Sequence, residues 1–399
     1  MARTVKTLLF STLYPSEARP LHGVFVETRL RELLRRGGVE TKVVAPVPWF
    51  WSAAGRHGRY ARMAATPRHE MLNGVEVLHP RFVRIPKIGM SSAPFLLALG
   101  AYGAMAAIRR GGFDFDVIDA HYYYPDGVAA AILASWFGRP LVVTARGTDV
   151  NLIPQFRIPR LWIQWAARRA QASIGVSAAL VERLRGLGLD PSRLLVMSNG
   201  VDLERFDLSP VDRAREQLGL HGWPLILTVG NLHEHKGQRL VLEAFSLLRD
   251  RFEDARLLIV GDGPDRDVLR SSVEGAGLQQ HVRFAGAVPN TELAHWYGAA
   301  DVTVLASSRE GWPNVLLESM ACGTPVVASR VGGVPEIVQR PVAGRIVDER
   351  TAAGFASAIE QVLRERRDRR QVRAYAEGFS WERTSVSQLA LFRSLASSS

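Results

Sequence analysis

Glu310 and Glu318 frame the segment richest in chemistry, Ser307-Ser-Arg-Glu-Gly-Trp-Pro-Asn-Val-Leu-Leu-Glu318. An apolar β-branched run, Val302–Ala306, ends just before it, Gly311 permits a tight turn, and Pro313 stands where a first helical residue belongs. The unpaired amides of a first helical turn, aligned with the helix dipole, make an anion site. Asn314 and Glu318 are four residues apart and share one face. A diphosphate over that helix start would put an attached ribose about one turn along, where the Glu318 carboxylate can accept from two ribose hydroxyls. Glu310, before the helix, would face whatever lies beyond the phosphates. The alternative on spacing alone is that both are ordinary helix-start acids.

A second segment, Val229-Gly-Asn-Leu-His-Glu-His-Lys-Gly237, follows another strand-like run. Gly230 lets a ligand approach the backbone. Lys236 stands at the start of the next helix, where a cation opposes the dipole unless an anion such as a diphosphate is present; otherwise it is a solvated lysine. His233 and His235 have no third ligand nearby, so they read as loop residues and no metal is expected. In the N-terminal half, Asp119-Ala-His121 ends a strand and points His121 toward the ligand edge, with a satisfied core histidine as the alternative. Thr144-Ala-Arg-Gly-Thr-Asp149 offers Arg146 and Asp149 at the same edge, and Gly23 precedes a helix. No G-x-G-x-x-G follows the first strand, and Gly261-Asp-Gly263 lacks the third glycine, which disfavours a nicotinamide dehydrogenase.

The elements that must hold these residues alternate. Val5–Phe10, Val39–Ala45, Phe115–His121, Leu141–Thr144 and Ser173–Val176 read as buried strands, with helices expected over Val24–Arg36, Pro94–Arg110, Asp126–Phe137 and Leu161–Ala170. The pattern restarts at Pro224–Val229, then Ala255–Val260, Val282–Ala285, Val302–Ala306 and Pro325–Ala328. Such alternation, without hairpin turn pairs, predicts an α/β chain of two doubly wound units, with ligands at the carboxyl ends of the strands. The expected domains are 1–205, 206–378 and a C-terminal helix and tail, 379–399. The length of 399 residues suits two domains.

Composition excludes several classes. Cys322 is the one cysteine, so there is no intramolecular disulfide, and a reducing compartment is expected. No signal peptide is read at the N-terminus. The longest apolar stretch, Ala93–Ile108, falls short of a spanning helix and is expected to be a buried one. Residues 1–205 carry 27 Lys and Arg against 15 Asp and Glu, while residues 206–399 carry 23 against 24. Arg56, Arg59, Arg62, Arg68, Arg81, Arg84 and Lys87 lie among Trp49, Phe50, Trp51 and Tyr60, a mix that suits an anionic membrane surface or acceptor, or a solvated loop. Arg364–Arg373 interleaves acids and reads as a solvated helix face, and no nucleic-acid motif accompanies it.

Taken together, these motifs resemble the retaining glycosyltransferases of family 4, whose architecture is GT-B: two Rossmann-like domains facing across a cleft, with a C-terminal helix crossing back to the first. The resemblance rests on Glu310 to Glu318, on Ala321-Cys-Gly-Thr-Pro-Val-Val-Ala-Ser, Gly332-Gly-Val-Pro-Glu336, Ser198-Asn-Gly-Val-Asp202 and Phe284-Ala-Gly-Ala-Val288. His22-Gly-Val-Phe-Val-Glu27, Pro125-Asp-Gly127 and the Thr144–Asp149 segment are most similar to members that build bacterial cell-surface polysaccharide, of the teichuronic-acid type.

The resemblance implies that the N-terminal domain binds the acceptor, through Gly23, Arg146 and Asp149, and that the C-terminal domain binds a UDP- or GDP-sugar. Lys236 and the amides of Asn314, Val315 and Leu316 would hold the diphosphate, with Gly230 and Asn231 beside it. Glu318 would bind ribose, Glu310 the donor sugar, and the base would stack near Val288. His121, Lys236 and Glu310 would be catalytic, His121 sitting by the anomeric centre. Asn231 stands where many members have arginine, and Arg146 where many have histidine. The implied activity is hexosyl transfer with retention to a glycan or lipid-linked acceptor, without metal or other cofactor, in the cytoplasm or at the inner membrane face. A nucleotide-sugar 2-epimerase on the same fold and a basic membrane- or nucleic-acid-binding protein without catalysis are the competing expectations.

Overall fold

The computed structural model describes residues 3–49, 63–84 and 89–397. Phe50, Trp51, Arg56, Arg59, Tyr60, Arg62 and Lys87, singled out above, lie outside the described residues. The chain divides into two compact units, Met1–Ser198 with Glu382–Ser399, and Asn199–Trp381.

The first unit is built on an eight-stranded sheet in the order β10-β9-β8-β7-β1-β2-β5-β4. Its strands are β1 (Val5–Phe10), β2 (Val39–Val44), β4 (His69–Leu72), β5 (Val75–Leu78), β7 (Val117–His121), β8 (Leu141–Ala145), β9 (Ala172–Gly175) and β10 (Leu194–Val196). β3 (Val47–Trp49) and β6 (Arg81–Val83) pair separately. β7 and β8 are buried along their whole length, as interior parallel strands are, and this is why they read as unbroken apolar runs. The helices are α1 (Val24–Arg36), α2 (Gly89–Arg110), α3 (Val128–Phe137), α4 (Arg157–Arg169) and α5 (Ala178–Gly186). The C-terminal helix, Glu382–Ser397, also belongs here and buries Leu389 and Phe392 with Val5, Leu33, Val117 and Ile174. Full burial of a Phe of this kind contributes about 1.5–3 kcal/mol.

Two expectations need correction. The chain does contain a hairpin: β4 and β5 are antiparallel around Asn73-Gly74, with φ of 50° and 79°, the pairing a type I′ turn demands. The apolar stretch is not short either. α2 has 22 residues with Pro94 inside it, and Met90–Arg110 is long and apolar enough to cross a membrane by length and composition. It is buried along Leu97, Ala98, Ala101 and Met105, but Phe95, Leu99 and Tyr102 on its other side are exposed.

The second unit holds a six-stranded, wholly parallel sheet in the order β13-β12-β11-β14-β15-β16, which is the doubly wound order 3-2-1-4-5-6. Its strands are β11 (Leu225–Val229), β12 (Arg256–Val260), β13 (Val282–Gly286), β14 (Val302–Leu305), β15 (Val326–Ser329) and β16 (Gly344–Val347). The helices are α6 (Val211–Leu218), α7 (Gln238–Leu248), α8 (Arg266–Gly275), α9 (Leu293–Ala299), α10 (Asn314–Ala321), α11 (Ala352–Glu365) and α12 (Arg369–Glu377). One face of the sheet packs Leu257, Ile259 and Val304 against Phe245 of α7 and Phe355 of α11. The strand order reverses between β11 and β14, and in the first unit between β1 and β7. Loops diverge at such switch points and leave a crevice for ligand.

Candidate active site

At the switch point of the second unit, the loops after β11 and β14 meet. Lys236 Nζ donates to Glu310 Oε1 at 2.7 Å, and Ser307 Oγ donates to the same oxygen at 2.7 Å. Gly237 makes the meeting possible. Its φ is 74°, and a Cβ there would lie 2.1 Å from the carbonyl oxygen of Ala306 at the end of β14. Only glycine lets the β11 loop come this close, and that approach seats Lys236 over Glu310. By contrast, a Cβ on Gly230 would meet nothing closer than Gln238 Nε2 at 4.0 Å, so the floor beside the pair is open.

α10 begins at Asn314, one residue later than expected, with Pro313 as its N-cap and not as its first helical residue. The amide of Leu316 donates to the Pro313 carbonyl at 3.1 Å, which draws it into the helix and leaves the anion site to the turn around Asn314 and Val315. Asn199 Nδ2 donates to Asn314 Oδ1 at 3.2 Å and orients that side chain. One turn along, Glu318 Oε2 accepts from the Tyr297 hydroxyl at 2.9 Å. Burial pushes the Glu318 carboxyl up to about 7, against the lowering pull of the Tyr297 bond and of Arg205. Val288 is partly exposed two residues beyond β13, and Asn231 is exposed. Among the described residues no three His, Cys, Asp or Glu side chains gather as metal ligands.

In the first unit, β7 delivers Asp119 and His121 to one face, two residues apart. His121 is 1% exposed, and its ring is held on both sides: Nδ1 lies 2.5 Å from Arg146 Nη2 and Nε2 lies 3.2 Å from Asp119 Oδ2. A guanidinium only donates, so Nδ1 is the acceptor, and Nε2 carries the proton and gives it to Asp119. Burial drives the ring pKa down to about 4; Asp119 opposes the shift and Arg146 adds to it. His121 is therefore neutral near pH 7. Behind it, Gln388 of the C-terminal helix donates to Asp119 Oδ2 at 3.1 Å and accepts from Arg29 Nε at 2.8 Å, and Arg29 Nη1 donates to the Met197 carbonyl at 2.9 Å. The next residue, Tyr122, has φ 82°, the kind of strain that gathers at functional sites.

Arg146 and Asp149 were expected to meet an acceptor together. Asp149 is instead fully buried, with Oδ1 accepting from Gly147 N at 2.7 Å and Oδ2 from Tyr123 N at 2.7 Å. It pins the two loops to each other, while Arg146 lies over the Phe25 ring, 5.3 Å from its centre, against His121. A Cβ on Gly23 would fall 2.3 Å from the carbonyl carbon of Leu13, so this glycine serves the packing of the Ser11–His22 loop on the start of α1. Five residues escaped the sequence reading of the site. Ser307 and Asp119 could have been found, one as the polar residue closing a strand and the other as the same-face neighbour of His121. Tyr297 and Gln388 carry no local signal, and Asn199 stands in the Ser198–Asp202 motif, whose meeting with Asn314 sequence spacing does not give.

Comparison with known proteins agrees with this geometry. Residues 23–205 match the family model described as Glycosyltransferase Family 4, and residues 211–379 match that of Glycosyl transferases group 1. The chain is 30% identical over 362 residues to a putative teichuronic acid biosynthesis glycosyltransferase, TuaC, of Bacillus subtilis, covering 89% of this chain and 88% of the relative. It is 32% identical over 354 residues to a D-inositol 3-phosphate glycosyltransferase of Actinosynnema mirum, covering 82% and 84%. Among solved structures, sucrose-phosphate synthase of Thermosynechococcus elongatus superposes with a TM-score of 0.81 at 22% identity, over 100% of both chains. HepE of Anabaena, solved with UDP-glucose, gives 0.72 at 20% identity, over 98% of this chain and 99% of that one. These likenesses show the GT-B fold.

Proposed function

The chain belongs to glycosyltransferase family 4, and from that premise we propose that it moves a hexosyl group from a UDP- or GDP-sugar to a glycan or lipid-linked acceptor, with retention, in bacterial cell-surface polysaccharide synthesis. The observation that carries this reading is the Lys236–Glu310 pair, set at a switch point beside an open floor and the start of α10.

In the proposal the diphosphate lies on the first turn of α10 and against Lys236. The ribose reaches Glu318, the base rests near Val288, and the sugar hydroxyls reach Glu310. The bond from the anomeric carbon to the phosphate oxygen breaks with oxocarbenium character, and negative charge builds on the leaving diphosphate. Lys236 and the helix start stabilise that charge without reorganising, a contribution of ~3–4 kcal/mol per donor, or 10²–10³ in kcat. Asn231 supplies no charge, so Lys236 carries more of the load. The acceptor oxygen attacks the face the leaving group vacates, the new C–O bond forms there, and the acceptor proton passes to the leaving phosphate oxygen. Glu310 holds the sugar and forms no bond to it. No metal or other cofactor is needed for these steps. In the first unit, Asp119 and Arg146 hold His121 as a single neutral tautomer. For His121 to bind any ligand through Nδ1, that atom must exchange Arg146 for it.

The test is a thermal-shift titration with UDP, GDP, ADP and NAD on the wild-type chain and on Lys236→Ala and Glu318→Ala. A nucleoside diphosphate at 100 times its Kd stabilises by ~2.7 kcal/mol, a shift of several degrees. The expected result is a shift with UDP or GDP that both substitutions abolish. A shift with NAD alone, or one untouched by either substitution, would refute the donor site. A stable glycosyl adduct on Glu310, or a product of inverted configuration, would refute the mechanism.

A further inference from the structure

At the carboxyl edge of the first unit's sheet lies a cavity of about 510 Å³, within the range of small-molecule sites. Thr12, just past β1, and Tyr124, just past β7, place it at the switch point. Its walls are mostly apolar, and Phe82, Met90, Leu96 and Tyr124 are among the side chains that line it. Positive side chains come from Arg19 and Arg84, with His22 beside them. The α2 residues that line it, Met90, Ala93 and Leu96, run into the same helix's exposed Phe95 and Leu99.

A sugar or an inositol phosphate would not suit these walls, because each hydroxyl lodged there without a partner loses the hydrogen bonds it made to water. A hydrocarbon chain gains, about fourfold in affinity for every methylene removed from water. The flanking arginines add a preference for negative charge at one end. Resting on the glycosyltransferase reading, we propose that the acceptor is an anionic amphiphile. Its chain occupies this cavity and leaves it along the exposed side of α2, and its charged head is held by Arg19 and Arg84. The class is a lipid-linked acceptor, and soluble glycans are excluded from this subsite.

The experiment is a calorimetric titration of the full chain with butyl, hexyl and octyl phosphate below their micellar concentrations, with octyl glucoside and inorganic phosphate as comparisons. Affinity is expected to rise at least tenfold from butyl to octyl phosphate and to fall for octyl glucoside. A tenfold excess of inorganic phosphate should compete poorly. Ala93→Trp, which fills the cavity from α2, and Leu96→Asn, which makes its wall polar, should each flatten the dependence on chain length. Nucleotide binding by the second unit should be retained in both. Equal affinity for butyl and octyl phosphate, full competition by inorganic phosphate, or an unchanged dependence in both variants would overturn the proposal. Chain-length selectivity in a protein that binds no nucleotide would refute the transferase reading instead, and with it the amphiphile's role as acceptor.

Discussion

Glu318 illustrates how a residue can be placed for ligand at the cost of the fold. Its carboxyl is raised from an ordinary value of 4.5 to about 7, chiefly by burial. Between those two values the unfolded chain has released the proton and the folded chain still holds it, so stability falls as pH rises from 4.5 to 7 and stays low above it. The loss is on the order of 3 kcal/mol at about 1.36 kcal/mol per pH unit. Glu318→Gln keeps an acceptor for the Tyr297 hydroxyl and removes the ionisation. The variant should therefore match wild type near pH 5 and exceed it in denaturation midpoint at pH 8, while binding nucleoside diphosphate more weakly at both. Urea melts at the two pH values decide the matter. A variant less stable than wild type at pH 8 would mean that the ionised carboxylate is well solvated and that burial costs nothing there.

At the scale of elements, the C-terminal helix holds the first unit's site from behind. Gln388 spends both ends of its amide on charged groups, Arg29 and Asp119, in a buried layer. Gln388→Ala leaves Arg29 Nε without its acceptor, and deserting a buried charged donor costs about 2–4 kcal/mol. Gln388→Glu should cost no less, since it gives Arg29 a carboxylate but sets it against Asp119. Both variants are expected to lower the first unit's denaturation midpoint and leave nucleotide binding by the second unit intact; coincident loss of both would show that the units do not melt separately. This layer also marks what could be read from the chain alone. The interior strands β7, β8 and β11 were legible because burial on two faces writes an unbroken apolar run, and α1 because its apolar stripe sits between Gly23 and Gly37. The Lys236 and Glu310 loops were legible because strand ends, turns and helix starts are local events. The β4–β5 hairpin was missed although Asn73-Gly74 signals it, since its strands are four residues each and Glu70 and Glu76 interrupt them, so neither makes an apolar run. Gln388 was out of reach because its meaning depends on Asp119, 269 residues earlier. Asp149 looked like a ligand residue because type and position cannot distinguish a carboxylate facing a substrate from one satisfied by backbone amides.

On the scale of the whole molecule, charge and exposed apolar surface fall on the same unit. The first unit carries 28 Lys and Arg against 14 Asp and Glu, a net of +14, and the second 22 against 25, a net of −3. α2, α3 and α4 pack side by side and leave Phe95, Leu99, Tyr102, Trp136, Leu161 and Trp162 exposed, with the Tyr102 and Trp136 rings 5.7 Å apart. Exposed Arg109, Arg110, Arg157, Arg160, Arg168 and Arg169 lie on the same three elements or at their ends. Tryptophan and tyrosine favour the headgroup layer of a bilayer, and each arginine near an anionic surface adds about 1 kcal/mol. We therefore expect the first unit to dock on anionic membranes, consistent with an enzyme working at the inner face. The attraction has two parts with different salt responses. Arginine contacts are screened over about 8 Å at physiological ionic strength, whereas aromatic burial is not. Sedimentation with anionic vesicles should thus fall with added salt to a plateau above zero, and neutral vesicles should bind only at that plateau. Leu99→Glu with Trp162→Glu should remove the plateau and leave the salt-sensitive part. Because α2 buries Leu97, Ala101 and Met105 within its own unit, the double variant should be released by high salt and the wild-type chain by detergent-free dilution. Binding that resists both would mean that α2 leaves the fold to insert, and equal binding to neutral and anionic vesicles would remove the charge from the argument.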